Sequence, residues 1–371
     1  MDEESKQQAI RGRDCFNEWI SSLRDEYPNI KNIQDVMNRD INIEIYRPLN
    51  SSGISKSVIC SCYDLMTADG DWEKWLEKIA HIGANGTRFF ALQCFGQKDF
   101  MNPFQPFEII PGKIHRGFPV FDLLKWNPDW WKKYRQILRK MKSLNLEADI
   151  VGETYTDLKK TGDEKYKHPF YNSIQAFATP GGVWGEPMKR FRRRLYHRLI
   201  KTALRIGVPF RFEGMNEYDA KAWDDKYMIE YHKWMVDEIR KSGAKVVIAS
   251  AMRNYEAIKE QVDFYSIHGC VTPKSIDGAY KRYGSKGYII SGDGGFDGHG
   301  PRDAKGRRGA SPKEMRGIVR KMYKYGYVEL EYFDRGLYRQ NNDRANLDDF
   351  HIKPLKSLID ECRKIEKTVS R

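Results

Sequence analysis

Two carboxylate-bearing stretches could do chemistry. In GYIISGDGGFDGHGP, Gly287 to Pro301, an apolar run suited to a strand opens into glycines, with Asp293 and Asp297 among them. In PFRFEGMNE a second apolar run ends on Asn216 and Glu217. A carboxylate at such a place can ligate calcium, border a phosphate cradle, serve as a catalytic acid, base or nucleophile, or only cap a turn. Two aspartates would repel a phosphate, and Asp293 and Asp297 lack the alternating oxygen ligands of an EF-hand loop. The eight histidines form no H-x-H or H-E-x-x-H pair, so no metal is expected. No lysine stands where a Schiff-base enzyme would need one, and no cofactor is expected.

These residues need elements to hold them. From Ser57 onward, strands and helices alternate. The expected strands are Ser57 to Leu65, Asn85 to Gln93, Leu146 to Tyr155, Pro209 to Glu217, Ala244 to Ser250, Val262 to Gly269, Gly287 to Ser291 and Tyr327 to Phe333. Helix signals lie between most of them. Asn127 before Pro128 and Ser311 before Pro312 are N-caps, and Gly83, Gly207, Gly243 and Gly326 follow the periodic runs. The long stretch from Gln93 to about Leu124, rich in Phe, Pro and Gly, reads as a loop.

Eight strands alternating with helices predict a parallel sheet closed into a (β/α)8 TIM barrel, an α/β fold. A doubly wound open sheet would carry a glycine fingerprint after its first strand, and CYDLMTADGDW has none. Residues 1–50 read as an N-terminal helical extension, with Phe16, Trp19, Ile20 and Leu23 on one face, and residues 51–371 as the barrel. In a barrel of this kind the site forms where strands end. Polar residues at those ends are Asp64, Arg88, Glu153, Asn216, Glu217, Ser250, His268, Asp293, Glu329 and Glu331.

The pair Asn216–Glu217 closing the fourth strand, with Arg88 in NGTR on the second, resembles the clan A glycoside hydrolases, the superfamily of cellulases, mannanases and β-galactosidases. The resemblance covers Ser57 to about Phe333. It implies that Glu217 is the acid/base, that Arg88 supports the nucleophile, and that His268 and Tyr265 on the sixth strand lie near the cleft. The clan keeps its nucleophilic glutamate at the end of the seventh strand. This sequence has Asp293 there instead, with Glu331 or Glu329 on the eighth strand as further candidates. The implied reaction is hydrolysis of β-linked glycosidic bonds in an oligo- or polysaccharide, with retention favoured over inversion. Two carboxylates flank the scissile bond, ~5–5.5 Å apart for retention and ~6.5–9.5 Å for inversion. The fourth and seventh strands are expected on opposite sides of the mouth. The other expected outcome is a barrel that binds carbohydrate without cleaving it, having lost the strand-seven glutamate.

Sugar sites use aromatic platforms, and Trp184 in GGVWGEP is the expected subsite residue. His168, Tyr171 and Asn172 in HPFYNS are expected at the rim. Trp130 and Trp131 fall on the apolar face of their helix and are expected in the core.

Composition bounds the partners. Hydrophobic residues make up 40% and aromatics 13%, enough for a large core. Lys and Arg exceed Asp and Glu by 64 to 51, giving +13. That excess suits a well-solvated surface or an acidic glycan. The basic runs KRFRRRLYHR and KGRR come with no DNA- or RNA-binding motif, so nucleic acid is not the expected partner. Six scattered cysteines without a C-x-x-C pair suggest free thiols. No apolar run approaches the ~18 residues of a membrane span, and the charged N-terminus lacks a signal-peptide core, so a cytoplasmic location is the default expectation.

Overall fold

The computed structural model describes residues 57–66, 72–92, 104–154, 162–178, 182–217, 225–250, 255–291, 312–333 and 349–369. The helical extension expected over residues 1–50 lies outside them, and so do Asp293, Phe296 and Asp297. The described residues belong to one compact unit, Pro48–Arg371. Among them no helix is long and apolar enough to cross a membrane.

Eight parallel strands close into a barrel. In chain order they are β1 (Ser57–Ser61), β2 (Gly86–Phe90), β5 (Glu147–Thr154), β6 (Phe210–Asn216), β7 (Val247–Ser250), β8 (Phe264–Ile267), β9 (Tyr288–Ser291) and β10 (Glu329–Phe333). The ring closes where β1 pairs with β10, Ile59 opposite Glu331. Helices pack outside: α1 (Trp72–Ile82), α2 (Pro128–Ser143), the short α3 (Ile174–Phe177), α4 (Glu186–Ile206), α5 (Asp225–Lys241), the short α6 (Tyr255–Lys259), α7 (Pro273–Tyr283), α8 (Pro312–Tyr325) and α9 (Asp349–Val369). The eight expected strands are all present, and the fold is a (β/α)8 barrel.

The caps act as their residue types require. Asn127 accepts from the N–H groups of Asp129 and Trp130, and Pro128 fills the first turn of α2. Gly207 ends α4 in the left-handed region, φ 69°. Trp130 and Trp131 are fully buried and pack on Tyr134, which forms the apolar stripe of α2.

Two elements depart from the sequence reading. Within the stretch expected as a loop, β3 (Phe107–His115) and β4 (Phe118–Trp126) form an antiparallel hairpin. Its tip is Arg116–Gly117, both with positive φ, 53° and 81°. Two consecutive positive φ values match the twist of the flanking strands, as in a type I′ turn. The second departure is α7 between β8 and β9, where no helix was expected. Thr272 and Ser275 form a reciprocal capping box ahead of it.

The ring order also corrects the expected placement of the two catalytic strands. Running β1-β10-β9-β8-β7-β6-β5-β2, it sets β10 directly opposite β6. β9 is one strand short of opposite. The strand facing Glu217 squarely is therefore the one that carries Glu329 and Glu331.

Candidate active site

Along a strand, alternate side chains enter the barrel. On β10 these are Glu329 and Glu331, and on β6 they are Arg211 and Glu213. All four are buried. A barrel interior is commonly filled by branched aliphatic side chains. Here it is ionic and built in two tiers.

The lower tier centres on Arg211. Its Nη1 and Nη2 donate to the two oxygens of Glu329, each at 2.5 Å. Its Nε lies 3.3 Å from Glu147 and 3.5 Å from Asp149. The upper tier centres on Arg88, which is 1% exposed. Its Nη2 donates to Glu213 at 2.5 Å and to Asn216 Oδ1 at 2.7 Å, and its Nη1 donates to Glu331 at 3.1 Å. Ser61 donates to the same Glu331 oxygen at 2.6 Å, and Ser266 lies 3.3 Å from the other.

Asp149, Glu213, Glu329 and Glu331 thus share two guanidinium groups inside the barrel. Four carboxylates cannot all ionise cheaply against two cations. Burial pushes Glu329 up to about 7, against the pull of Arg211. Burial also drives Asp149 well above the carboxylate range, and Arg211 and Arg88 offset this only in part. Glu331 goes the other way. Burial would raise it, but Arg88, His268 and the hydroxyls of Ser61 and Ser291 together hold it below its ordinary value. Glu331 is therefore held toward its ionised form, whereas burial favours a proton on Asp149 and Glu329.

Glu217 stands above this floor. It follows β6 with φ 51°, a left-handed backbone that costs a non-glycine residue on the order of 1 kcal/mol. Ser250, at the end of β7, holds it there. The Glu217 N–H donates to Ser250 Oγ at 3.0 Å, while Ser250 donates through its N–H and its hydroxyl to Glu213 Oε1, at 2.9 and 2.5 Å. His268, just past β8, brings Nδ1 to 3.6 Å from Glu217 Oε1. The side chains of Glu217 and His268 are 27% and 19% exposed, whereas the carboxylates beneath them are closed to solvent. Arg88 also fixes the orientation of Asn216. The amide oxygen accepts from Arg88, which leaves the amide NH2 as the donor for another partner.

Arg88, Asn216, Glu217, His268 and Glu331 converge on this mouth. Four other expected site residues do not. Tyr265 is buried and packs edge-on against Tyr288, and it is the neighbouring Ser266 that meets Glu331. Trp184 is 3% exposed, with its ring against Tyr231 and the Arg192 guanidinium 5.2 Å above it, so it is packed inside rather than displayed as a platform. His168 and Asn172, expected at the rim, are fully buried. Burial and the nearby Arg192 hold His168 well below its ordinary pKa, so it is neutral, and its Nδ1 accepts from the Phe170 N–H. Asn172 donates to Pro119 O at 2.9 Å and so ties this segment to the hairpin.

Sequence reading missed Glu213, Arg211 and Asp149, which build the floor. They lie in strand interiors rather than at strand ends. A charged residue inside an otherwise apolar strand was the available signal, because it needs a partner on another strand. Among the described residues no His, Cys, Asp and Glu cluster could hold a metal ion.

No sequence family matches the chain, and no curated protein matches it in sequence. Solved structures do resemble it. A native Bacteroidetes-affiliated GH5 cellulase linked with a polysaccharide utilization locus superposes with a TM-score of 0.54 at 14% identity, covering 85% of this chain and 95% of that one. PbGH5A, a glycoside hydrolase family 5 enzyme from Prevotella bryantii B14, gives 0.52 at 11% identity, with 85% and 98% covered. A mutant of that enzyme was solved in complex with the xyloglucan tetradecasaccharide XXXGXXXG. A Bacteroides vulgatus ATCC 8482 structure assigned to the glycoside hydrolases gives 0.51 at 15% identity. It covers 76% of this chain, which spans about half, 51%, of that one. At these identities the likeness is one of fold, the (β/α)8 barrel.

Proposed function

We propose that this chain is a glycoside hydrolase that cleaves β-linked bonds in an oligo- or polysaccharide, with retention of configuration. The observation that carries the reading is Glu217, a solvent-reaching carboxylate in a strained backbone, set at the mouth of a clan A-type barrel beside Arg88-bound Asn216. The groups beneath it are buried and hold one another still, whereas the side chains of Glu217 and His268 reach solvent in part. A carbohydrate substrate also agrees with the xyloglucan seen on the Prevotella enzyme.

In this reading Glu217 protonates the leaving oxygen and then serves as base for the incoming water. The Asn216 amide donates to a sugar hydroxyl beside the reacting carbon. The second carboxylate is Asp293, two residues past Ser291 at the end of β9. As nucleophile it is one methylene shorter than a glutamate, so the sugar must sit deeper on that side of the cleft. Glu331 is committed to Arg88 and Ser61, and it acts as the fixed counter-charge that keeps the guanidinium in place.

The test is hydrolysis of a panel of aryl β-glycosides and β-glucans by the wild type, Glu217→Gln and Asp293→Asn, with the anomer of the first product read by NMR. We expect a loss of about 100- to 10,000-fold for Glu217→Gln and a first product of unchanged configuration. A wild type that binds glycans and cleaves none would make this a carbohydrate-binding barrel and end the proposal. An inverted product would move Asp293 from nucleophile to base.

A further inference from the structure

The net charge of +13 is not spread over the molecule. The helices α2 and α4 pack side by side on the outside of the barrel. Tyr134 on α2 donates to Leu199 O on α4 at 3.3 Å, and Lys142 donates to Ile206 O at 2.7 Å. Between them these helices carry 14 lysines and arginines against two acids, Asp129 and Glu186. The rest of the chain holds 50 basic and 49 acidic residues, so it is balanced. Essentially all the excess positive charge lies on one flank.

Some of those cations are already matched. Arg192 turns inward to Glu153 at 2.7 Å, Lys189 pairs with Glu186, Arg193 with Glu238 and Lys140 with Glu77. Among the described residues, Lys132, Arg190, Arg194, Arg198, Lys201 and Arg205 have no carboxylate in ion-pair reach. The five on α4 recur at steps of three and four residues, so they form one stripe along a helix about 30 Å long. Two of them are pre-set by aromatic rings. The Arg198 guanidinium lies 4.5 Å over Trp131 and 4.8 Å over Trp126, and that of Arg194 lies 5.0 Å over Trp126. Stacked guanidinium groups have already lost part of their rotamer freedom, which lowers the cost of ordering them on a ligand.

The cations crowd one another. Partial burial and the proximity of Arg135, Arg194 and Arg205 bring Arg198 down to about 10. Partial burial and the neighbouring Arg190 lower Arg194, with Asp122 acting against them. Like charges held together in this way gain from a polyanion that runs along them.

We propose that the α2–α4 flank is a docking surface for an acidic glycan strand, separate from the barrel mouth. The choice of occupant rests on the glycosidase reading of the mouth. A hydrolase that holds its polymer on a second surface raises the effective concentration of bonds at the cleft. Arginine, the commoner cation here, matches planar carboxylates and sulfates through paired N–H groups.

The test uses the full chain and four exposed positions that do not stack on the tryptophans: Lys132→Gln, Arg190→Gln, Lys201→Gln and Arg205→Gln combined. Binding is measured by calorimetry to polygalacturonate, to the same polymer fully methyl-esterified, and to duplex DNA, at about 50 and 200 mM salt. We expect the wild type to bind polygalacturonate and not its ester, binding to weaken with salt, and the quadruple variant to lose about tenfold or more with an unchanged melting temperature. Equal binding of the ester, or no binding at the lower salt, overturns the docking surface. Tighter binding of duplex DNA than of polygalacturonate overturns the choice of occupant in favour of nucleic acid. Glu217→Gln should bind polygalacturonate as the wild type does. Aryl glycoside hydrolysis is read separately, so binding without hydrolysis sinks only the cleft reading, and hydrolysis without binding sinks only the flank.

Discussion

Arg211 on β6 and Glu329 on β10 meet across the full width of the barrel, two guanidinium nitrogens each 2.5 Å from a carboxylate oxygen. The two strands are opposite in the ring and share no backbone ladder. Their tie runs through the lumen. Removing one partner leaves buried charge uncompensated, so Arg211→Met should cost about 3–5 kcal/mol in urea unfolding. Combining it with Glu329→Leu should recover much of that loss. A double variant no more stable than the single one would show that the pair is not the unit that matters.

The same pair sets a pH dependence. Burial raises Glu329 from 4.5 in the unfolded chain to about 7 in the fold. Between those values the folded state keeps a proton that the unfolded chain has released. Stability therefore falls as pH rises from 4.5 toward 7 and levels off above it. Glu329→Gln removes this proton, so its melting temperature should fall less than that of the wild type over the same interval. Parallel profiles would assign the dependence to another group, Asp149 first.

Ser250 serves Glu217 and Glu213 together. Ser250→Ala strips an acceptor from the strained Glu217 N–H and a donor from a buried carboxylate. We expect about 1–3 kcal/mol of lost stability and, because Glu217 is freed from its left-handed geometry, a larger fall in kcat than in substrate affinity. Ser250→Thr keeps the hydroxyl and should restore most of both. Rescue of stability without rescue of kcat would remove Ser250 from the positioning of Glu217.

Gly86 opens β2 where it pairs with Glu147 on β5. A Cβ at that position would stand 2.3 Å from the Glu147 carbonyl oxygen and 2.9 Å from Ile59. Backbone cannot yield as a side chain does, so Gly86→Ala should destabilise by about 3 kcal/mol, the upper end for overpacking. Calorimetric melting checks this. A variant within about 0.5 kcal/mol of the wild type would mean that the β2–β5 ladder shifts freely.

The barrel was legible in the sequence because its punctuation is local. The pair Asn127–Pro128, Ser311 before Pro312, and Gly207 with Gly243 each mark one helix end with a residue type that suits it. The hairpin was not legible because its turn is Arg116–Gly117 rather than Asn-Gly, and Pro111 and Gly112 interrupt the first strand. The helix α7 carries the same cap-then-Pro signature, Thr272 before Pro273, and could have been found. At the site, Asn216 and Glu217 close β6, where a barrel forms its site, and Arg88 inside β2 was singled out by its NGTR setting. Asp149, Arg211 and Glu213 gain their meaning from charged partners 62 to 125 residues away, such as Arg211 with Glu329. Trp184 and His168 fell on the wrong side of the same limit. Loop composition does not say which way a ring turns, and here Trp184 packs against the Arg192 guanidinium while His168 turns inward to accept from the Phe170 N–H.

The concentration of cations on α2 and α4 gives the described barrel one positively charged side. A charged polymer or surface acts on such a side within the roughly 8 Å that physiological salt allows. The barrel would then meet a polyanion with its basic flank leading. The order of encounter would be flank first and mouth second, settled before any specific contact forms.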